Sequence, residues 1–169
     1  MIRFIPSVLI AGLCVSCVSD APPVQRQPSE VRPVKLIPVA DGTFADTDAN
    51  RFRDTSRVVV YIMGDVPGYR LPIAVAGEFV IRLETRSGMS IAEWRFDQAR
   101  TAEALHALPP GPGYVFDLDL RTARGMNGTD RTSETEADLV ATFIPKVGEQ
   151  VRVRTTAPIL VGSVSRGDR

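Results

Sequence analysis

Oxygen-bearing side chains recur at alternate positions in the run Asp46-Thr-Asp48-Ala-Asn50-Arg-Phe52-Arg-Asp54. With Asp46 as position 1, Asp48, Asn50 and Asp54 stand at positions 3, 5 and 9, and Phe52 offers a backbone carbonyl at position 7. A hard cation such as Ca²⁺ takes roughly six to eight oxygens, and a loop of this spacing can wrap them around one centre. The chemistry expected of Asp46, Asp48, Asn50, Phe52 and Asp54 is therefore structural Ca²⁺ binding, which would fasten the loop to the apolar run that follows it. The competing expectation is a polar turn, in which Asp and Asn side chains bond their own backbone and Arg51 and Arg53 balance the charge.

The spacing resembles the Asp-rich calcium loops of EF-hand and thrombospondin-repeat type, with two departures. Arg51 occupies position 6, where Gly makes the sharp turn, and Arg57 occupies position 12, where a closing carboxylate belongs.

Other chemistry is thinly supplied. The single histidine, His106, excludes multi-histidine metal centres, and no Ser or Cys stands with it in a recognised nucleophile setting. Asp117 and Asp119 fall on one face of an alternating segment, but acid and base work requires an environment that separates their pKa values, and a wet strand face does not. Leu108-Pro-Pro-Gly-Pro-Gly-Tyr114 lacks the Lys and the following helix of a phosphate loop and reads as a stiff turn. With 20 Lys+Arg against 20 Asp+Glu, nothing favours nucleic acid electrostatically. No catalytic residue emerges, and a non-enzymatic protein is expected.

The N-terminus speaks to location. MIRFIPSVLIAGLCVSC carries Arg3, an apolar run from Phe4 to Val15 and the small residue Ser16 ahead of Cys17, the layout of an export signal. A run of twelve residues is too short for a hydrocarbon core that needs roughly 20. The cleavage region Cys14-Val15-Ser16-Cys17 resembles that of bacterial lipoproteins, with Cys14 where Leu is usual. That resemblance implies cleavage before Cys17, a diacylglycerol thioether on its sulfur and an acyl group such as palmitate on its new amine. Two or three chains, at about 0.8 kcal/mol per buried methylene, anchor stably where one chain is reversible. Val18, rather than Asp, after the cysteine implies the outer membrane over the inner one. The alternative is an ordinary secretory peptide with an incidental cysteine. Removal of 16 of the 169 residues would leave 153 with Cys17 as the only thiol, so core packing must hold the fold without a disulfide.

The expected organisation is a leader over 1–16, a lipidated cysteine and Pro-rich tether over 17–33, a folded domain over 34–164 and a polar tail over 165–169. Inside the domain the dominant period is two. Phe79, Ile81 and Leu83 alternate with Val80, Arg82 and Glu84, and Tyr114, Phe116, Leu118 and Leu120 alternate with Val115, Asp117, Asp119 and Arg121. Further strands are expected over 35–39, 57–63, 90–96, 139–144, 151–156 and 159–161. One helix, capped by Asp97, is expected to run to Leu108 before Pro109-Pro110. These elements predict an all-β, antiparallel two-sheet sandwich of immunoglobulin-like type with one short helix and Trp94 between the sheets. The polar run Arg121 to Glu136 is expected to be a long surface loop suited to recognition or without a partner.

From about Asp46 to Val161 the chain resembles small bacterial lipoproteins that carry one immunoglobulin-like sandwich. The resemblance rests on the Asp-x-Asp-x-Asn-x-x-x-Asp loop, Gly77 before an alternating strand, Trp94-Arg-Phe96 and the Leu-Pro-Pro-Gly-Pro-Gly-Tyr turn. A second likeness is to intracellular proteinase-inhibitor sandwiches. The lipoprotein resemblance implies the fold and the location, and the function expected is a lipid-anchored, non-enzymatic envelope module that binds another envelope protein or a ligand through its loops or serves a structural role. An accessory inhibitor or chaperone-like factor for a secreted protease or envelope complex is the alternative.

Overall fold

The computed structural model describes residues 26–28 and 31–164. The leader, Cys17 and the tail from Ser165 lie outside the described residues.

The elements in chain order are β1 (Pro33–Ala40), β2 (Thr55–Gly64), β3 (Gly77–Glu84), β4 (Ser90–Phe96), α1 (Gln98–Glu103), β5 (Leu105–Leu108), β6 (Gly111–Asp119), β7 (Glu136–Pro145), β8 (Val151–Arg154) and β9 (Ile159–Leu160). A single 3₁₀ turn, Leu120–Thr122, follows β6. Among the described residues, one sheet has the order β1-β2-β6-β5 and the other the order β4-β3-β7-β8, with β9 joined to β7. Every strand pairing is antiparallel. The protein is an all-β sandwich with one short helix, as its alternation predicts.

The alternation decides which face is buried. Phe79, Ile81 and Leu83 of β3 and Leu139, Ala141 and Phe143 of β7 form one wall of the core, facing Val58, Val60 and Ile62 of β2 and Tyr114, Phe116 and Leu118 of β6. Aromatic rings occupy the centre. The Phe79 ring lies 5.1 Å from those of Tyr114 and Phe116 and 4.9 Å from that of Phe143, in the tilted and edge-on arrangements that aromatic quadrupoles favour. Trp94 is buried beside Ala92 and Phe96, stacks on Phe44, and donates its indole N–H to the carbonyl of Asp119 at 3.0 Å. It thus links β4 to the end of β6 in the opposite sheet. Gly77 opens β3 where a Cβ would come within 2.5 Å of the Ile144 carbonyl oxygen and the Phe143 ring, so no larger residue fits that approach.

The outer face of the second sheet carries charge in ladders. Glu84 accepts from Arg152 and Arg154, and Arg154 also reaches Asp138 at 2.8 Å. Glu93 accepts from both Arg82 and Arg95; burial pushes its carboxyl up, but the hydrogen bonds from Arg95 and Arg82 outweigh this and hold it below the usual carboxylate range. Arg152 and Arg154 thus reach from β8 to Glu84 of β3. They are the cationic half of a cross-strand network.

The helix is shorter than its sequence pattern suggests. Asp97 caps it as expected, its side chain accepting from the Arg100 N–H at 2.9 Å, but α1 ends at Glu103. Leu105–Leu108 instead pairs with Gly111–Tyr114 across the Pro109-Pro110 turn. A six-residue helix gains little from propagation, and the free edge of β6 offers the next four residues a full ladder. His106 consequently sits exposed on an edge strand and not at a helix end.

Gln27, within the stretch expected to be a tether, is hydrogen-bonded to the domain. Its Nε2 donates to the Ala74 carbonyl at 3.0 Å and its Oε1 accepts the Ala74 N–H at 2.7 Å.

Candidate functional site

The 41–54 loop turns back on the start of β2 at one end of the sandwich. Phe44 plugs the core, the Ala45 N–H donates to the Thr55 carbonyl, and the Asp54 N–H donates to the Ala45 carbonyl at 2.7 Å. Within this frame each sequence-selected residue has a distinct role.

Asp46 builds the turn. Its two oxygens accept the backbone N–H groups of Asn50 at 3.1 Å and Arg51 at 2.9 Å. Ala49 and Arg51 have φ of 60° and 74°, so the left-handed turn for which a calcium loop uses Gly is present here at Arg51 without it. Asn50 turns its amide oxygen to the Phe52 N–H at 2.8 Å and its amide nitrogen to Asp48 at 3.1 Å and Asp130 at 2.7 Å. Phe52 makes a bridge to Ser163 and lies under the Arg131 guanidinium, 5.3 Å from the ring centre. Asp54 is fully buried and accepts the Thr47 N–H at 3.0 Å and the Thr47 hydroxyl at 2.8 Å.

The structure brings Asp48 and Asp54 together, and it adds Asp130, whose side chain is buried against them. One oxygen from each of these carboxylates lies within 4.8 Å of the other two. Arg121, just beyond β6, spans the group: its Nη1 is 3.4 Å from Asp48, its Nη2 is 3.8 Å from Asp54, and its Nε is 3.0 Å from Asp119. The side-chain hydrogen bond from Arg121 holds the Asp119 carboxyl below its ordinary range. Asp46 gives both its oxygens to the turn, and Asn50 aims its amide nitrogen, not its oxygen, at Asp48 and Asp130.

Two ligands bound to one Ca²⁺ stand at most about 5 Å apart, so the three carboxylates lie within the span of a single hard cation. The same carboxylates already accept hydrogen bonds from Thr47, Asn50 and Arg121. As a hydrogen-bonded corner, the cluster ties the 41–54 loop to the segment after β6. That segment is packed and not a free loop: Leu120, Ala123, Met126 and Asp130 are buried, and Arg124 exchanges two backbone hydrogen bonds with Glu93. Gly162 closes the corner with φ +69°, its position such that a Cβ would meet the Glu134 carbonyl oxygen at 2.2 Å.

Asp130 was not legible as a partner of the Asp46 run. Its sole sequence signal was membership of the polar stretch between β6 and β7. Asp117 projects from β6 into solvent and pairs with Arg57 at 2.7 Å, whose hydrogen bond lowers its pKa. Among the described residues no helix is long and apolar enough to cross a membrane.

Compared with known proteins, the chain matches no family model, no curated protein and no solved structure.

Proposed function

We propose that the chain is a non-enzymatic, lipid-anchored module of the bacterial cell envelope, held at the outer membrane through Cys17 and presenting its sandwich to another envelope protein. The observation that carries this is the leader ending in Ser16-Cys17, followed within a few residues by a Pro-rich run. A sandwich cored by Phe79, Tyr114, Phe116 and Phe143 suits that role, because it holds its shape without a disulfide and offers a rigid body at the end of a short leash. Fractionation of the native host tests it. Wild-type protein is expected in the membrane fraction and Cys17→Ser in the soluble fraction, and a wild-type protein found soluble would overturn the anchor.

Ca²⁺ at the Asp48, Asp54 and Asp130 corner is a second element of the proposal, favoured by the convergence of three carboxylates against one guanidinium. A bound ion stabilises by RT ln(1 + [L]/Kd), about 2.7 kcal/mol at a hundredfold excess over Kd. Millimolar Ca²⁺ is therefore expected to raise the unfolding midpoint of the wild type and to leave Asp130→Asn unmoved. No rise in the wild type would reduce the corner to its hydrogen bonds.

A further inference from the structure

We infer that the sandwich stands on the lipid surface with the end that carries Gln27 and the 65–76 loop against the bilayer, and with the acidic corner pointing away. The inference rests on the anchor proposed at Cys17 and goes beyond it by fixing which surface is free for a partner.

Two independent features point to that end. The first is where the chain enters. The paired hydrogen bonds of Gln27 to Ala74 pin the chain beside the loop that follows β2. Nine residues separate Cys17 from Gln27, and the ten steps between them span at most about 35 Å fully extended. β2 runs from Thr55 at the acidic corner to Gly64 at the entry end, and its ten residues cover about 33 Å. The entry end can stand a strand's length from the membrane only when the leash is drawn almost taut, so a relaxed leash keeps that end near the bilayer.

The second feature bears on the tilt. Of the nine large hydrophobics exposed among the described residues, Val34, Leu71, Ile144 and Val147 (49%, 38%, 39% and 86%) lie at the entry end, against Met89 and Leu160 (65% and 40%) at the opposite end. The pairings place the four at the entry end. Pro33 pairs with Gly64 and Gly77 with Pro145, Pro72 bridges to Met63, and Val147 sits in the turn between β7 and β8. Exposed apolar side chains at a loop tip are stabilised by entering the headgroup and acyl boundary. Arg32, Arg70 and Lys146 are exposed among them and can meet lipid phosphates, while Asp65 and Glu149 offset their charge, so apolar contact carries the attachment. The opposite end presents the acidic corner and the segment after β6 to the outside.

The test uses the lipidated protein in vesicles of phosphatidylethanolamine and phosphatidylglycerol that contain a headgroup-level quencher lipid. With Cys17 blocked by lipid, a fluorophore can be placed singly by Val147→Cys at the entry end or by Ser133→Cys at the far end; both positions are exposed, so neither change disturbs the core. Quenching is expected to be several-fold stronger for Val147→Cys, and Leu71→Ser combined with Val34→Ser is expected to narrow that difference. Equal quenching, or stronger quenching for Ser133→Cys, would overturn the orientation while leaving the anchor standing. Lipidated protein that fails to float with the vesicles would overturn the anchor itself, and the orientation with it.

Discussion

Phe79→Ala is expected to destabilise the sandwich by about 4 kcal/mol, within the range for removing a buried aromatic ring. Phe79 is fully buried in β3 and its ring contacts those of Tyr114, Phe116 and Phe143, so it belongs to both sheets at once. Truncation removes its transfer free energy and leaves a cavity whose other walls are held by strand pairing and cannot close in. Gly77, two residues earlier, already sits against the Phe143 ring and cannot move inward to fill the gap. Thermal unfolding should shift downward by on the order of 10 °C. Phe79→Leu keeps most of the volume and is expected to lose about 1.5 kcal/mol. A loss in Phe79→Ala no larger than in Phe79→Leu would show that the ring is not the link between the sheets.

Asp54→Ala is expected to lose about 2–3 kcal/mol, the largest effect of any change at the acidic corner. Hydrogen bonds to a charged acceptor are worth about 1.5–3 kcal/mol each, and Asp54 accepts both the N–H and the hydroxyl of Thr47. Thr47 is itself exposed, so water recovers part of that loss. Asp48→Ala is the comparison. Its side chain is 39% exposed, its contacts with Arg121 and with the Asn50 N–H and amide are all solvent-screened, and the expected loss is below about 1 kcal/mol. Urea unfolding of the two variants ranks them, and hydrogen exchange at the Thr47 amide, whose N–H Asp54 accepts, should quicken far more in Asp54→Ala. The reverse order would mean that the corner is not organised around its buried carboxylate.

The strands were legible because one face of each is apolar and the other carries polar or charged residues. Phe79, Ile81 and Leu83 alternate with Arg82 and Glu84 in sequence, and the structure buries the first set in the core and covers Glu84, on the other face, with Arg152 and Arg154. The extent of the helix was not legible. Ala102, Leu105 and Leu108 keep a helical spacing, but Leu105–Leu108 is taken by β6, a pairing that depends on how the Pro109-Pro110 turn closes. Local periodicity carries no information about such a partner. The acidic corner divides the same way. Asp48 and Asp54 were readable from spacing, whereas Asp130 joins them only because the segment after β6 folds back over the start of β2. The direction of the Asn50 amide, set by the Phe52 N–H on one side and two carboxylates on the other, is likewise a product of the folded surroundings. Gln27 makes the point at the boundary: Pro-rich composition marks a tether, yet one amide side chain reaches the backbone of Ala74 and brings the start of the domain closer to Cys17.

The anchor on Cys17 underlies both the proposed location and the orientation on the membrane, and its most direct measurement is the mass of the N-terminal peptide of the mature protein extracted from host membranes. The expected result is a peptide that begins at Cys17 and carries diacylglycerol with an additional acyl group, with no peptide from residues 1–16. A free thiol on Cys17, or a mature chain that begins at any other residue, would contradict the assignment.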